Sequence, residues 1–341
     1  MTGVVGLVLY FTLAFCDYRK YLAYFAMPAY VVAVVLLTAV LLVGSTIYGG
    51  RRWLWFFQPS EISKVCVLGM IAWLFGGADR FRAQRGFRGF LVAAGLVGVP
   101  ALLILLEPDL GTMLTLVPAT LLMLLVARVW RRGLLTVVLA LATLGAATLG
   151  AVYEAEKPGV AAARRERIMR WVPLKRHQVQ RVKVFLFPEG DARGAGYTLR
   201  QAMISIGSGG FSGKGIGKGE TNHLKYLPQA ISMNDFIFCV YAEETGFVGS
   251  VVLLTLFGIL LISCVVTAFY ATDGRGRLLA LGISMLIFAH VFINLAMSIG
   301  MVPITGLPLP FISSGRTFLV TLMIGLGMVQ SVAIHGRETK V

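Results

Sequence analysis

Asp235 is the residue of this 341-residue sequence whose type and position best fit acid–base chemistry. It opens the apolar run Phe236-Ile237-Phe238 and closes a segment rich in cations and glycines. A carboxylate at an apolar boundary can have its pKa raised towards the value that suits a general base. An aspartate before a helical run is equally typical of an N-cap, so the residues alone support both interpretations.

Glu61 and Lys64 form a second candidate group. They lie three residues apart in a segment that begins with Pro59 and Ser60, so they can pair on one face of a helix. The alternative without chemistry is a helix that Ser60 caps, with a screened ion pair in its first turns.

Arg51 and Arg52 beside Trp53 are typical of either an anion site or an anchor at a membrane interface. Farther along the chain, Glu107 and Asp109 flank a proline in a tight connection. The Pro-Asp pair predicts a turn, and the aspartate predicts a cap for the helix that follows. Both pairs therefore have a structural interpretation beside the functional one.

A glycine-rich stretch, residues 207–219, carries Lys214 and Lys218 among seven glycines. Glycine lets backbone amides approach an anion closely, but the spacing matches neither nucleotide-binding fingerprint. We therefore expect no nucleotide site. After this stretch, Glu243 would lie nearer the helix face of the catalytic candidate than Glu244 would, which predicts different roles for the two glutamates.

The composition determines which elements must position these residues. Hydrophobic residues make up 57% of the chain and charged residues 14%, which excludes a soluble globule. Continuous apolar runs long enough to cross a bilayer recur, so the spans must be helices and a β-barrel is excluded. We predict an all-α polytopic helix bundle with spans near residues 1–16, 28–47, 62–77, 89–107, 111–127, 133–153, 247–269, 278–300 and 316–335.

Basic residues predict the orientation of this bundle. If the C-terminal tail is cytoplasmic, the loops on its side carry thirteen Lys or Arg, and the opposite short loops carry only Arg51 and Arg52. The long interval 154–235 then lies outside, where its length exempts it from the charge rule. Met1 opens directly into an apolar run without a basic flank, so we expect a preceding helix to be missing from this sequence.

The remaining features predict packing or lipid contact. The four cysteines lie in apolar stretches without paired spacing, so neither a disulfide framework nor a zinc site is expected. The basic segment 154–190 fits a solvated or headgroup surface better than a specific anion site. The net charge of +15 is that of a protein that meets anionic lipid, and we expect no nucleic acid partner. No cofactor is predicted, and the need for a divalent cation stays open.

Four separated segments together resemble the SEDS family, the membrane peptidoglycan glycosyltransferases RodA, FtsW and SpoVE. The segments are Gln58-Pro59-Ser60-Glu61, Glu107-Pro108-Asp109-Leu110-Gly111-Thr112, residues 188–249, and residues 303–311. The resemblance covers nearly the whole chain, and the order of its motifs is specific. Three smaller features look more like RodA than FtsW: Thr305-Gly306, Gly194-Ala195-Gly196-Tyr197 with Gln201, and Gly213-Lys214-Gly215.

This resemblance implies one membrane domain over residues 1–341, with ten helices in the family and the first missing here. It implies polymerisation of lipid II at the outer face of the bacterial cytoplasmic membrane, in cell elongation or division. A class B penicillin-binding protein would cross-link the product, alongside other proteins of the elongation or division complex. Asp235 matches the essential acidic residue of the family, whereas Met233-Asn234 replaces the usual His-Thr before it, and Ser313-Ser314-Gly315-Arg316 replaces Ser-Tyr-Gly-Gly.

On this resemblance we expect Asp235 to accept the proton of the GlcNAc 4-hydroxyl while cations stabilise the departing lipid diphosphate. Lys64 is the favoured cation because Glu61 can hold it near the membrane surface. Two alternatives stay open, a flippase for lipid II and a non-catalytic scaffold of the cell-wall synthesis complex. The candidate substrate-binding residues are Arg51, Arg52, Glu61, Lys64, Glu107, Asp109, Lys214, Lys218, Glu243 and Arg316.

Overall fold

The computed structural model describes residues 2–47, 50–54, 57–77, 86–157, 159–172, 174–190, 194–219 and 234–336. Within these ranges, residues 46, 47, 50, 51 and 189 are described by their backbone alone. The side chain of the candidate Arg51 and the departure at Met233 therefore lie outside the described part of the chain.

The described residues are mainly helical. Their helices are α1 (Thr2–Phe15), α2 (Tyr18–Val43), α3 (Pro59–Phe75), α4 (Phe87–Leu106), α5 (Leu110–Val126), α6 (Arg131–Glu156), α7 (Ala162–Met169), α8 (Arg176–Leu186), α9 (Ala195–Ser208), α10 (Ile237–Tyr270), α11 (Gly274–Ser298) and α12 (Arg316–His335). A 3₁₀ turn, Pro188–Gly190, follows α8. A hairpin of β1 (Ser45–Ile47) and β2 (Gly50–Trp53) is antiparallel, with Thr46 opposite Arg51.

The prediction of an all-α membrane protein is confirmed, because a helix coincides with each predicted span. Six helices, α2, α4, α6, α10, α11 and α12, are long and apolar enough to cross a membrane. Helices α1 and α5 are apolar but shorter. The total of nine spans stays a prediction.

The predicted bounds of the second span, residues 28–47, are wrong at both ends. Helix α2 begins at Tyr18, because the Asp17 side chain caps it by accepting a hydrogen bond of 2.9 Å from the amide of Arg19. The charged first turn hid this start from a search for apolar runs. The helix ends at Val43, and strand β1 occupies the last predicted residues.

The chain divides into two compact units. The first comprises residues 1–134, 255–291 and 310–341. Here α1 packs on α12, with Gly6 against the side chain of Met323 and Gly327 against the backbone of Tyr10. Helix α3 lies in the middle of this unit, since its apolar side chains Val67, Leu68, Ile71 and Ala72 are all fully buried.

The second unit comprises residues 135–254 and 292–309. The end of α6 is tied to the basic segment, because Glu156 lies 3.1 Å from Arg165 and 2.8 Å from Lys183. Helix α6 therefore continues to Glu156, beyond its predicted end at residue 153. A separate apolar cluster joins α9, α10 and α11 through Leu199, Ala202, Phe236, Cys239 and Met297.

Candidate functional site

Asp109 caps α5, as the sequence predicts. Its two carboxylate oxygens accept hydrogen bonds from four groups: the Thr112 amide at 3.2 Å, the Thr112 hydroxyl at 2.8 Å, the Gln58 amide at 2.9 Å and the Ser60 hydroxyl at 3.3 Å. Because all four donors belong to the protein, the hydrogen bonds of the Asp109 carboxylate serve to hold the fold together. The predicted capping role of Ser60 is wrong, because Pro59 takes the first helical position and makes Gln58 the N-cap of α3.

Arg52 binds the turn that Asp109 ends. Its Nε donates to the Glu107 carbonyl at 3.4 Å, another guanidinium nitrogen donates to the Pro108 carbonyl, and a third lies 3.8 Å from Asp109 Oδ1. The β2 strand thus presents this guanidinium to the connection between α4 and α5. Substrate binding by Arg52 or Asp109 stays a prediction.

Glu107 lies in the same turn, outside helices α4 and α5. Its side chain is fully buried, and neither carboxylate oxygen has a hydrogen-bond partner among the described residues. Burial raises the pKa of Glu107 from 4.5 to about 8, the negative charge of Asp109 adds to the rise, and Arg52 opposes it. The carboxyl group is therefore mainly protonated at neutral pH.

Glu107→Gln tests this environment. Between pH 4.5 and 8 the folded state binds a proton that the unfolded state has released, so the stability of the wild-type protein should fall as pH rises through this range. Glutamine does not titrate, so the stability of the variant should not fall for this reason between pH 4.5 and 8. Above pH 8 the variant should be more stable than the wild-type protein. Thermal unfolding in detergent across the range measures the effect. Parallel curves for the two proteins would contradict the buried, unpaired carboxyl.

Lys64 and Glu61 form the predicted ion pair, with Nζ and Oε2 2.9 Å apart. The same Nζ lies 2.8 Å from His290 Nε2 and 5.7 Å from the ring centroid of Phe318. Lys64 is fully buried and Glu61 is 4% exposed. His290 was not predicted from the sequence, although a histidine within an apolar span is itself a signal of a polar partner.

A small cavity lies beside this buried pair. Its volume is about 10 Å³, which is room for about one water molecule. Its surface is apolar, and the residues that border it include Glu61, Lys64, His290 and Thr321. The hydroxyl of Thr321 has no hydrogen-bond partner among the described residues. Lys64 is fully buried in this arrangement, and its role as a substrate cation stays a prediction.

Asp235 lies at a second polar centre, which Asn294 of α11 organises. The Asn294 Nδ2 donates to the Asp235 carbonyl at 2.9 Å and to the Leu307 carbonyl at 2.7 Å. Asn294 is fully buried, so its bond to Leu307 is shielded from water, whereas the bond to Asp235 is partly buried. One side chain therefore fixes the catalytic candidate against the segment 303–309.

Gly306 brings the Asp235 carboxylate and a guanidinium together. A Cβ atom on Gly306 would stand 3.3 Å from Asp235 Oδ2 and 3.8 Å from Arg181 Nη2. Arg181, on α8, also donates to the Thr305 carbonyl at 2.9 Å. The sequence predicts Arg181 only as one of the basic residues of its segment. Asn294 was not predicted, although an amide side chain in an apolar span is a usable signal.

If Asp235 is the general base expected from the sequence, Gly306→Ala should lower catalytic turnover by roughly 10²-fold, because the new methyl group would press against its carboxylate. The backbone at this position has φ of +75°, which adds about 1–2 kcal/mol of strain for alanine. Gly300→Ala is the matched control, since Gly300 has φ of +74° but no contact with Asp235. If the two variants lost the same share of activity, backbone strain alone would explain the loss. That result would contradict a role of Gly306 in positioning the Asp235 carboxylate.

Glu243 and Lys214 also form a pair. Lys214 Nζ lies 2.9 Å from Glu243 Oε1, and the Ser205 hydroxyl donates to Oε2 at 3.3 Å. Glu243 is 1% exposed, whereas Glu244 is half-buried, so their surroundings differ.

Lys218 is exposed in the glycine-rich stretch, and Arg316 is exposed as the first residue of α12.

The glycine-rich stretch does not present all its amides to an anion. The amides of Lys214 and Gly215 donate to the carbonyls of Glu243 and Glu244, each at 3.0 Å. The glycines therefore allow this stretch to approach the backbone of α10 closely, and two of its amides bind that helix.

These helices and polar centres define a multi-pass membrane protein with a carboxylate, a guanidinium and an amide gathered at one site. Residues 1–338 match the profile of the cell cycle protein family that comprises FtsW, RodA and SpoVE. The chain belongs to this family.

Relatives of both main branches are similar to the chain. The peptidoglycan glycosyltransferase MrdB of Escherichia coli K12 is 34% identical over 336 residues, which cover 97% of this chain and 83% of MrdB. The probable peptidoglycan glycosyltransferase FtsW of Hydrogenovibrio crunogenus is 34% identical over 319 residues, 91% of this chain and 74% of that protein.

Two solved structures share the fold. One is a chain of a peptidoglycan synthase complex that coordinates polymerization and crosslinking, with a TM-score of 0.74, 30% identity, and coverage of 99% of this chain and 88% of that one. The other is the rod shape determining protein RodA of Thermus thermophilus, with a TM-score of 0.66, 27% identity, and coverage of 98% and 86%.

Proposed function

We propose that this chain polymerises lipid II into glycan strands, with Asp235 as the general base. Its family and its relatives make it a peptidoglycan glycosyltransferase, so the reaction joins a sugar hydroxyl to a lipid-linked sugar. The finer assignments, lipid II as substrate and Asp235 as base, are our proposal.

One observation carries the proposal, namely that the Asp235 carboxylate and the Arg181 guanidinium both border Gly306. The carboxylate accepts the proton of the acceptor 4-hydroxyl as the oxygen attacks the anomeric carbon of the donor. The bond from that carbon to the lipid diphosphate breaks, and the electron pair leaves with the diphosphate. Arg181 is well suited to stabilise the charge that develops there, because a guanidinium binds phosphate oxygens through two parallel bonds.

Asn294 and Gly306 act as positioning residues in this scheme. Asn294 binds the backbone of Asp235 rather than its carboxylate, so it fixes where the side chain starts. Gly306 itself adds no side chain next to Asp235 Oδ2. General-base catalysis depends on such placement, because proton transfer needs the heavy atoms within hydrogen-bonding distance.

The test is the purified chain reconstituted in lipid vesicles with labelled lipid II. Formation of glycan polymer supports the proposal. Movement of lipid II between leaflets without polymer would overturn it in favour of a flippase. Neither activity, with retained binding of a transpeptidase, would overturn it in favour of a scaffold.

The membrane setting is part of the proposal. We place the chain in the bacterial cytoplasmic membrane, with the C-terminal tail in the cytoplasm and residues 154–235 outside. A class B penicillin-binding protein is the proposed partner. The similarity to a chain of a complex that coordinates polymerization and crosslinking supports this partner.

A further inference from the structure

Helix α10 is broken at Gly246, where φ is +68° and ψ is −162°. A break in a helix leaves backbone amides and carbonyls without their helical partners. Here these groups bind residues 209–218, which we call the glycine loop. Four backbone hydrogen bonds join them: Lys214 N to Glu243 O at 3.0 Å, Gly215 N to Glu244 O at 3.0 Å, Phe247 N to Gly210 O at 2.9 Å and Val248 N to Phe211 O at 3.2 Å.

Only glycines allow this contact. A Cβ atom on Gly246 would stand 2.3 Å from the amide nitrogen of Gly213, and one on Gly213 would stand 2.2 Å from the Glu244 carbonyl oxygen. Both glycines also have positive φ, which other residues rarely adopt. The glycine loop is thus a fixed part of the helix break.

Large apolar side chains project from the joint, by which we mean the helix break at Gly246 together with the glycine loop. Phe211 is 73% exposed and stacks on Phe247, which is 61% exposed, with ring centroids 6.1 Å apart. Ile216, 85% exposed, lies at the tip of a turn that the Lys218 amide closes on the Gly215 carbonyl at 3.0 Å.

Phe211, through its stacking on Phe247, extends the exposed apolar surface of α10, a helix long and apolar enough to cross a membrane. After Phe247, that surface carries the exposed Val248, Val251 and Val252. Irregular backbone is costly in lipid unless its polar groups are paired within the protein, and here the groups at the break are paired. The joint therefore satisfies both conditions for contact with lipid, an apolar surface and paired polar groups.

We propose that the glycine loop inserts into the outer boundary of the bilayer, with Phe211 and Ile216 among the lipid chains. Lys218, exposed at the end of the turn, extends its ammonium to the lipid phosphates. The occupant of this surface is the lipid bilayer itself. The inference does not depend on the proposed chemistry, but the side of the bilayer rests on the proposed orientation of the chain.

Fluorescence of a probe at residue 216 tests the insertion. Ile216→Cys, made together with Cys16→Ser to remove the exposed native cysteine, is labelled with an environment-sensitive dye and reconstituted in phosphatidylethanolamine and phosphatidylglycerol vesicles. We expect a blue-shifted emission that lipids with spin labels high on their acyl chains quench. Residue 216 is so exposed that its replacement should leave folding intact. Protein that carries Cys16→Ser alone gives the background labelling.

Lys218→Cys, two residues away in the same turn, is the matched control, and its probe should emit at longer wavelength and be quenched less. Emission typical of water at both positions would overturn the proposal. A blue shift that lipid spin labels do not quench and that grows with protein concentration would also overturn it, in favour of contact with a second copy of the chain.

Discussion

Asp235→Asn should lower polymer formation from lipid II by about 10²–10⁴-fold, the usual contribution of a general base. The asparagine has nearly the same shape but cannot accept the proton of the acceptor hydroxyl. The fold should be retained, because Asn294 binds the backbone carbonyl of residue 235 and not the replaced side chain. The measurement is the initial rate of glycan formation by the purified variant, at equal protein content and thermal stability.

Glu154→Gln is the control for the loss of one carboxylate. Glu154 pairs with Lys157 on the surface, where both side chains are at least 41% exposed, so its removal should change neither rate nor stability. If Asp235→Asn polymerised lipid II at the rate of Glu154→Gln, Asp235 would not be the base.

Lys64→Met should be the most destabilising of the substitutions considered for this chain, by roughly 3–5 kcal/mol. The reason is that Glu61 would remain buried without the opposite charge that now lies 2.9 Å away. His290 Nε2 would also lose its contact with the Lys64 ammonium group. Thermal or denaturant-induced unfolding in detergent, compared with the unsubstituted protein, gives the loss directly.

The double variant Glu61→Gln with Lys64→Met removes both charges together. It should regain most of the stability, since a buried ion pair replaced as a unit costs little. A double variant as unstable as Lys64→Met would contradict a paired cluster. Its polymerisation rate then separates two roles: activity that returns with stability indicates a structural lysine, and a stable but inactive protein indicates a cation that the substrate needs.

Interactions between neighbours in the sequence were predictable. The continuous apolar runs predict helices because lipid offers backbone groups no water to bind, and a helix pairs these groups within its own segment. The pairing of Glu61 with Lys64 and the capping by Asp109 follow from spacings of three residues. The start of α2 could have been found from Asp17, had caps been weighed against hydrophobicity.

Contacts between distant residues were not predictable. Lys64 and His290 are 226 positions apart, and Asn294 and Asp235 are 59 apart, so no local spacing records either contact. The role of Gly306 depends on the side chains around it, because a glycine in a loop commonly serves only to permit a turn. The break at Gly246 lies just before the predicted span 247–269, and the hydrogen bonds that pair its backbone come from residues more than 30 positions earlier in the chain.

The packing of α1 on α12 has a consequence for biogenesis. Gly6 meets Met323, and Gly327 meets Tyr10, so helices from the two ends of the chain complete each other. A ribosome delivers α12 long after α1 has entered the membrane, and the nascent helix must wait there with its partner-facing side uncovered. Such distant pairing slows assembly, and it gives the insertion machinery and quality-control proteases a long interval in which to bind an unfinished chain.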